Sequence, residues 1–276
     1  MARLKPKAGS VEITTRCNAG CLMCPHTLES VRAEYMKSAD VIDIVGQEVA
    51  MGCKKILMHH LGEPTLHPDY VHIWRTVRAN HTKTHLRAYT NGSQIHRPEI
   101  AAVMAECADD IVVSIDGTTA AGMETVRPGV DAARLLPAVV ALYKRKRRGP
   151  MVVRGVHLPG VNDAEMATYQ QTWRARGVDA VAPILDVRQR PAVFPNPCSR
   201  IYQQIDVRVD GTVGVCCRDP TGLYPLGNVF DQPLADIWYG DAARKFRRDH
   251  RAGDIDLCVK CTWEGVYPGD DYEELE

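Results

Sequence analysis

The chain has no excess of charge of either sign. Its 276 residues include 34 Lys and Arg and 34 Asp and Glu, so the formal net charge is zero. Proteins that bind nucleic acid through a broad electrostatic surface usually carry a basic excess. The one basic run, Lys144–Arg148, is typical of a solvated helix end near the negative pole of the helix dipole; the alternative is a contact with an anionic partner. We therefore expect no nucleic-acid partner.

The chain also lacks the long apolar segments that membranes require. It contains no run of about 18 apolar residues, so no membrane span is expected. Met1–Pro6 has no apolar core of the kind found in secretory signal peptides. Ten cysteines in a chain without an export signal argue against a disulfide framework and favour metal binding in a reducing compartment. These absences predict a cytoplasmic protein without a membrane partner.

Short β-branched runs alternate with helical stretches from residue 11 to residue 190, which is typical of βα units and a parallel sheet. The predicted strands cover residues 11–15, 55–59, 85–89, 111–117, 151–156 and 180–185. The predicted helices cover residues 39–51, 69–79, 97–107, 131–147 and 163–176. Polar motifs follow several of these strands. Because ligands gather at the carboxyl ends of parallel strands, we expect these motifs to form one site.

Cys17, Cys21 and Cys24 fall within eight residues, directly after the first predicted strand. A structural zinc site usually has paired Cys-x-x-Cys elements and four protein ligands, and this loop has no local fourth ligand. A 4Fe–4S cluster normally takes four thiolates. Three thiolates would leave one iron open to a ligand that is not the protein. Zinc or a purely structural cluster is the alternative for the loop taken alone.

This cysteine spacing resembles that of the radical S-adenosylmethionine (SAM) superfamily. Other motifs that resemble the family are Gly62-Glu63-Pro64, Thr90-Asn91-Gly92, Ser114-Ile115-Asp116-Gly117 and Arg127. The resemblance implies an α/β fold, an open, partial (β/α)6 barrel of parallel strands. It also implies that a 4Fe–4S cluster binds SAM and cleaves it to methionine and a 5′-deoxyadenosyl radical. The electron would come from a donor such as flavodoxin or ferredoxin.

The resemblance further implies which residues contact SAM. They are Gly62, Glu63, Pro64, Thr90, Asn91, Ser114, Asp116, Arg127 and Val156. In that assignment the Gly-Glu-Pro motif receives the methionine amine and Arg127 the methionine carboxylate, onto which a guanidinium forks well. The alternatives are a plain turn for the motif and a surface ion pair for Arg127. Asn162 is interpreted as a helix cap.

Candidate catalytic groups follow the second and third strands. His60 stands where relatives in this family often carry glycine, and an imidazole there is able to contact substrate or transfer a proton. His59 and Tyr89 are further candidates, and Arg154 is a fourth group to consider. The alternative for both histidines is a packed structural role.

The composition changes at residues 190–197, which are rich in proline. They separate a predicted barrel core, residues 1–190, from a C-terminal module, residues 191–276. A hairpin is expected around Asp210-Gly211 and a helix up to about residue 250. The module resembles the shortened SPASM, or twitch, extension of the same superfamily. The resemblance implies one auxiliary 4Fe–4S cluster with the ligands Cys198, Cys216, Cys258 and Cys261.

The choice of ligand and of metal in this module stays open, and two further cysteines are expected to have no role in metal binding. Adjacent strand residues face opposite ways, so only one of Cys216 and Cys217 is expected to face the metal; the family pattern favours Cys216. Zinc held by four thiolates is the alternative for this module. Cys53 and Cys107 are expected to be buried, inert thiols.

The resemblance implies a radical SAM enzyme that abstracts hydrogen from a substrate. Twitch-type alcohol dehydrogenases suggest a net oxidation of a small sugar-like or aminocyclitol metabolite. The first alternative is a maturase that crosslinks, oxidises or epimerises a ribosomally made peptide. The second is a non-catalytic iron–sulfur or zinc scaffold, which would give no role to the motifs around Glu63, Asp116 and Arg127.

Overall fold

Parallel strands form the wall of an open α/β barrel in the computed structural model, which describes residues 4–28, 32–146, 148–178, 184–185 and 198–261. The strands are β1 Ala8–Val11, β2 Lys55–Leu57, β3 His85–Thr90, β4 Asp110–Ser114, β5 Met151–Arg154, β6 Val156–His157, β7 Ile184–Leu185, β8 Gln204–Val207, β9 Thr212–Gly214 and β10 Gly227–Asn228. The predicted α/β class with a parallel sheet is confirmed.

Helices connect the strands and pack beside them. They are α1 Pro25–Leu28, α2 Ser38–Met51, α3 Tyr70–Asn80, α4 Pro98–Cys107, α5 Ala120–Val126, α6 Ala132–Arg145, α7 Asp163–Ala175, α8 Arg200–Gln203, α9 Leu234–Trp238, α10 Asp241–Ala252 and α11 Asp256–Val259, with a 3₁₀ turn at Pro64–Leu66. No helix in the described ranges combines the length and the apolar character needed to cross a membrane.

The main sheet runs in the order β10-β9-β8-β1-β2-β3-β4-β5, and β1 to β5 are parallel neighbours. β8 lies parallel to β1, with Ser10 opposite Asp206, so the C-terminal region extends the barrel wall. The predicted hairpin is present, because β8 and β9 pair antiparallel around a turn at Gly211. β6 and β7 form a separate parallel pair.

One hydrophobic core joins the barrel to the first part of the C-terminal region. Its buried members include Val11, Ile56 and Val113 on barrel strands, and also Ile205 and Trp238 on β8 and α9. A second, small cluster consists of Ile201, Tyr202, Val215, Phe246 and Ile255, and we refer to it as the minor cluster. β8 and α9 are therefore part of the barrel's own core, while α10 contributes Phe246 to the minor cluster.

The first predicted strand, residues 11–15, is wrong in its bounds. The ladder instead uses Ala8–Val11, where small residues sit between two parallel neighbours and tertiary pairing overrides their low β-propensity. Beyond Val11 the chain leaves this ladder, and Thr14 forms an isolated bridge with Tyr35. The predicted strand therefore lies too far along the chain, because the β-branched Thr14 pairs with Tyr35 in a loop and not with the sheet.

Other differences have local causes. The predicted strand 151–156 breaks at Gly155, where a Cβ would come within 3.0 Å of the ring of Tyr169. The predicted strand 111–117 ends at Ser114, and 55–59 ends at Leu57. Helix α5 was not predicted; it begins at Ala120, after the N-cap residue Thr119, whose hydroxyl accepts from the amide of Gly122.

The long predicted C-terminal helix is two helices, α9 and α10, separated by Tyr239 and Gly240. Most of the sixth predicted strand, the proline-rich linker and the proposed boundary at residue 190 lie outside the described residues. The division into residues 1–190 and 191–276 stays a prediction.

Candidate active site

The cysteine loop, residues 17–24, lies just beyond the carboxyl end of β1. The amide of Gly20 donates to the carbonyl of Pro128 (2.8 Å), and that of Leu22 donates to the carbonyl of Val126 (3.1 Å). The loop is thus fixed against the segment that follows α5. This segment also carries Arg127, which brings one predicted SAM contact next to the predicted cluster ligands.

Two side chains direct N–H groups at the loop thiols. Arg127 Nη1 donates to the Sγ of Cys21 at 3.2 Å, and Asn91 Nδ2 lies 4.0 Å from the Sγ of Cys17. Burial raises the pKa of the Cys21 thiol to about 11, although the charge of Arg127 opposes the rise. A metal that binds there would therefore displace a firmly held proton.

Asp116 holds Arg127 in place. The two side chains form a buried ion pair, and Asp116 Oδ1 accepts from the amide of Val156 at 2.6 Å. Arg127 is therefore a buried residue of the site, and the surface ion pair considered for it is wrong. The Asp116 carboxylate therefore links the motif that follows β4 to Val156 at the start of β6.

Asn162 reinforces this junction. Its Nδ2 donates to the carbonyls of Asp116 (3.1 Å) and Val156 (2.9 Å), and its Oδ1 accepts from the amide of Leu158. It makes no side-chain cap to α7. Asn162 does occupy the N-cap position of α7, as predicted, but its side chain turns back towards two strand ends instead of capping the helix.

The Gly-Glu-Pro motif lies against residues 14–16, the segment that connects β1 to the cysteine loop. A Cβ at Gly62 would overlap the carbonyl oxygen of Thr14, and the amide of Glu63 donates to the carbonyl of Arg16 at 2.7 Å. Only glycine allows this close approach of two backbones. The motif is therefore more than a plain turn, since it fixes the start of the loop.

The Glu63 carboxylate is buried and accepts several protein donors. Oε1 accepts from the hydroxyls of Thr65 (2.5 Å) and Thr90 (2.7 Å), and Oε2 accepts from the amide of Asn91 (2.6 Å). Burial raises the pKa of Glu63 in spite of these bonds. The carboxylate thus braces the ends of β2 and β3, and Oε2 keeps capacity for one further donor.

Asn18 inside the cysteine loop is a contact that the sequence reasoning missed. Its Oδ1 accepts from Asn91 Nδ2 and from Ser93 Oγ, both at 3.1 Å. Its carbonyl lies so close to Gly129 that a Cβ there would overlap it. The signal available was its position within the cysteine motif, between the first two thiols.

A cavity of about 240 Å³ opens beside these motifs. Six of the predicted site residues line it: His59, His60, Tyr89, Ser114, Arg127 and Val156. Arg127 therefore touches both the cavity and the cysteine loop. The Gly-Glu-Pro motif, Thr90, Asn91 and the three loop cysteines are not among the lining residues, and they lie around Arg127 and the loop instead.

The C-terminal region supplies one wall of the cavity. Its lining residues there are Arg200, Gln204, Asp206 and Cys217. Asp206 Oδ1 accepts from Gln204 Nε2 at 2.9 Å, and Arg200 Nη2 lies 3.7 Å from the same oxygen. The sequence reasoning missed Arg200, Gln204 and Asp206, because it treated the hairpin as part of a separate module.

The two adjacent cysteines of the hairpin face different surroundings. Cys217 lines the cavity, whereas Cys216 packs against the minor cluster, as does Cys258. The Sγ of Cys216 accepts from the amide of Arg218 at 3.4 Å. Cys216 and Cys258 thus pack against the same cluster while Cys217 lines the cavity, and Cys216 as the metal ligand stays a prediction.

The two histidines after β2 differ in their partners. His59 Nδ1 lies 3.0 Å from the carbonyl oxygen of His60, and its ring centroid lies 4.4 Å from that of Tyr89. Burial lowers the pKa of His59 to about 4, so this ring is neutral near pH 7. His60 Nδ1 instead lies 3.3 Å from Glu12 Oε1. Glu12 was missed, although it is the one acidic residue within an apolar and β-branched run.

The donor set of the cysteine loop suits an iron–sulfur cluster. It offers three thiols, and N–H groups of Arg127 and Asn91 lie beside the sulfurs of Cys21 and Cys17, where they would favour an anionic cluster. Across the described residues, no three His, Cys, Asp or Glu side chains are arranged around one metal position.

Comparisons with known proteins agree with this geometry. The family model of the radical SAM superfamily matches residues 11–171, which is more than half of the chain. That of an iron–sulfur cluster-binding domain, SPASM, matches residues 198–262. A comparison with curated proteins finds no match.

Solved structures share the fold. BtrN in complex with AdoMet and 2-DOIA has a TM-score of 0.65 at 19% identity, over 99% of this chain and 98% of that chain. SuiB from Streptococcus suis has a TM-score of 0.71 at 13% identity, over 94% of this chain and 72% of that one. Native anSMEcpe with bound AdoMet has a TM-score of 0.61 at 14% identity, over 92% and 88%. At these identities the likeness concerns the fold.

Proposed function

The chain belongs to the radical SAM superfamily, and from that premise we propose that it oxidises an alcohol carbon of a small, polar metabolite, sugar-like or aminocyclitol in type. Its cofactors are SAM, a SAM-binding 4Fe–4S cluster and an auxiliary iron–sulfur centre in residues 198–262. When bound, SAM and its cluster supply a 5′-deoxyadenosyl radical that removes a hydrogen atom from the substrate.

The ligand sets are part of the proposal. Cys17, Cys21 and Cys24 hold the SAM-binding cluster. The N–H groups of Arg127 and Asn91 lie beside the sulfurs of Cys21 and Cys17. One auxiliary 4Fe–4S cluster is held by the four cysteines Cys198, Cys216, Cys258 and Cys261. When bound there, this cluster would supply an acceptor for one electron from the substrate radical.

The residues around Arg127 position SAM. Asp116 fixes the guanidinium, and Asn162 fixes Asp116 and Val156 relative to each other. The remaining capacity of Glu63 Oε2 suits the methionine amine, and Arg127 suits the methionine carboxylate. Ser114 and Val156 line the adjoining cavity, where the adenosyl group would meet the substrate.

The volume and the lining of the cavity are the observations that support this substrate class. Its volume of about 240 Å³ lies below the roughly 300–1,000 Å³ of sites for drug-sized ligands. Its lining is rich in charged and hydroxyl-bearing side chains, among them Ser10, Arg154 and Asp206. Such a site suits a small molecule with several polar groups.

The comparisons lend support in the same direction. This chain matches BtrN over nearly the full length of both chains, and that structure contains 2-DOIA. SuiB, whose structure was also solved with the precursor peptide SuiA, matches over 70% of its length.

A peptide substrate is the second candidate. The observation that favours it is the TM-score of 0.70 to SuiB bound to its precursor peptide, which exceeds the value of 0.65 to BtrN. Both values describe the backbone, whereas the cavity volume describes the space for substrate. We therefore rank the small metabolite first.

Anaerobic reconstitution tests the proposal. The reconstituted protein is expected to bind about eight irons, four for each cluster, and to release 5′-deoxyadenosine when SAM and dithionite are added. A panel of aminocyclitols and sugars, analysed by mass spectrometry, should contain a compound that loses two hydrogens. Full iron loading without 5′-deoxyadenosine would contradict the enzyme, and turnover of peptides alone would favour the second candidate.

A further inference from the structure

Glu12 joins three parts of the site. It follows β1 directly, and its side chain is 3% exposed. Oε1 accepts from the amide of Leu61 at 3.0 Å and lies 3.3 Å from His60 Nδ1. Oε2 accepts from the amide of Val209, in the hairpin turn after β8, at 3.2 Å. One carboxylate therefore fixes the loop after β2, the hairpin and the ring of His60.

This contact determines which nitrogen of His60 is available. A carboxylate next to Nδ1 favours the tautomer with a proton on Nδ1, which leaves the lone pair on Nε2. The side chain of His60 is 7% exposed and lines the cavity. A buried carboxylate behind a cavity histidine is the arrangement that general bases use.

The other groups of the cavity are less suited to accept a proton. His59 directs Nδ1 at the carbonyl of His60, and burial holds its pKa at about 4. The guanidinium of Arg154 offers hydrogen-bond donors only, and the phenol of Tyr89 is a weaker proton acceptor than an imidazole. Asp206 is the rival, although Gln204 donates to one of its oxygens and Arg200 lies close by.

We propose that His60 accepts the proton released during substrate oxidation and that Glu12 is the residue that positions it; this inference rests on the proposed function. The substrate carbon first loses a hydrogen atom, which ends in 5′-deoxyadenosine. The substrate radical then gives its hydroxyl proton to His60 and one electron to the auxiliary cluster. A carbonyl is formed, and the substrate has lost two hydrogens and two electrons in total.

The experiment separates hydrogen abstraction from the later proton loss. The substrate identified in the panel is deuterated at the oxidised carbon, and two quantities are measured for each variant: deuterium in 5′-deoxyadenosine and ketone per 5′-deoxyadenosine. In His60→Ala we expect deuterium transfer to persist while the ketone ratio falls about 100-fold, the scale of a general base. Added imidazole should restore part of the ratio.

Glu12→Gln is expected to lower the ketone ratio about tenfold, as loss of an orienting partner does, and Glu12→Asp should retain more of it. Iron content and the spectral response to SAM are measured in parallel, and His60→Gln serves if the alanine variant folds poorly. Asp206→Asn tests the rival acceptor, and His96→Asn, at an exposed histidine whose Nδ1 lies 3.0 Å from the carbonyl oxygen of Ser93, is the matched control that should keep the ratio.

The outcomes are distinguishable. Wild-type protein that transfers no deuterium from any alcohol would refute the proposed function, and this inference with it. Normal wild-type transfer with an unchanged ketone ratio in both His60 variants would refute the inference alone. A loss confined to Asp206→Asn would assign the proton to Asp206.

Discussion

The two groups of cysteines that the sequence places at opposite ends of the chain have different surroundings. The barrel loop is held by backbone bonds to Val126 and Pro128, and its sulfurs face the N–H groups of Arg127 and Asn91. In the C-terminal group, Cys216 and Cys258 pack against the minor cluster of apolar side chains. One site is polar, and the other is apolar on at least one side.

This difference separates the tasks of the two sites. The loop has three thiols and touches the cavity through Arg127, so a ligand there meets polar groups that can orient it. The C-terminal group has enough thiols to satisfy a cluster with protein ligands alone, which suits electron transfer. Cys217 lines the cavity and so connects that region to the proposed substrate site.

Removing one thiol from each group should have opposite consequences. Cys21→Ala should abolish 5′-deoxyadenosine formation, with a loss of at least about 1,000-fold, because reductive cleavage requires the loop cluster. Cys258→Ala should still transfer substrate deuterium into 5′-deoxyadenosine but should yield no ketone. Both products are measured by mass spectrometry under anaerobic conditions.

Cys107→Ala is the control, since this buried thiol lies on α4 among core residues and outside both groups. It should retain both products. Normal ketone formation by Cys258→Ala would remove the division of tasks, because the auxiliary cluster would then have no part in the oxidation.

The buried pair of Asp116 and Arg127 should dominate the stability of the loop side. Asp116→Asn leaves the guanidinium buried without its countercharge, and breaking such a pair costs about 3–5 kcal/mol. The thermal midpoint of the reconstituted protein should fall, and the spectral response to SAM should weaken. Asp131→Asn, at an exposed ion pair with Arg134, is the matched control and should change little. Equal midpoints for the two variants would contradict the buried role.

The cavity wall from β8 should affect substrate affinity more than radical formation. Asp206→Asn and Cys217→Ser alter groups that line the cavity without touching the loop cysteines. We expect KM for the substrate to rise about tenfold, equivalent to about 1.4 kcal/mol. The amount of 5′-deoxyadenosine formed at saturating substrate should stay near that of the wild type. An unchanged KM in both variants would place the substrate elsewhere.

A stability effect of similar size is the pH dependence expected from His59. Its folded-state pKa of about 4 lies below the ordinary value near 6.5, so the folded state binds fewer protons between these values. The contribution is complete above the unfolded pKa and is lost as pH falls towards the folded one. Between about pH 8 and pH 5, wild type should lose about 1–2 kcal/mol more stability than His59→Asn.

Denaturant unfolding under anaerobic conditions measures this difference. His96→Asn is the control, because this histidine is exposed and its Nδ1 contacts the carbonyl oxygen of Ser93 in a turn. Identical pH profiles for wild type and His59→Asn would show that the ring is not held neutral by burial.

Much of the barrel could be predicted because the hydrophobic periodicity and the positions of the motifs indicate the same helices and strand ends. The helices α2, α3, α4 and α7 match their predicted ranges to within a residue or two, and the motifs around Glu63, Asp116 and Arg127 do meet. These features depend on local sequence and on the rule that strand ends share one edge of a sheet.

The remaining features depend on pairings between distant residues. Neither Ala8–Ser10 nor Gln204–Val207 carries a sign that the two segments pair, so the sequence did not predict that the hairpin continues the barrel wall. For the same reason Asp206 and Arg200 were not predicted at the cavity. Glu12 binds Val209, which is 197 residues away, and no local pattern predicts such a contact.

Electron paramagnetic resonance of two reduced, reconstituted variants tests the central claim most directly. One variant lacks the loop thiols Cys17, Cys21 and Cys24, and the other lacks the auxiliary thiols Cys198, Cys216, Cys258 and Cys261. Each should retain one 4Fe–4S signal, and SAM should change only the signal of the variant that keeps the loop. A SAM-dependent change in the variant without the loop thiols, or none in the variant that retains them, would contradict the account.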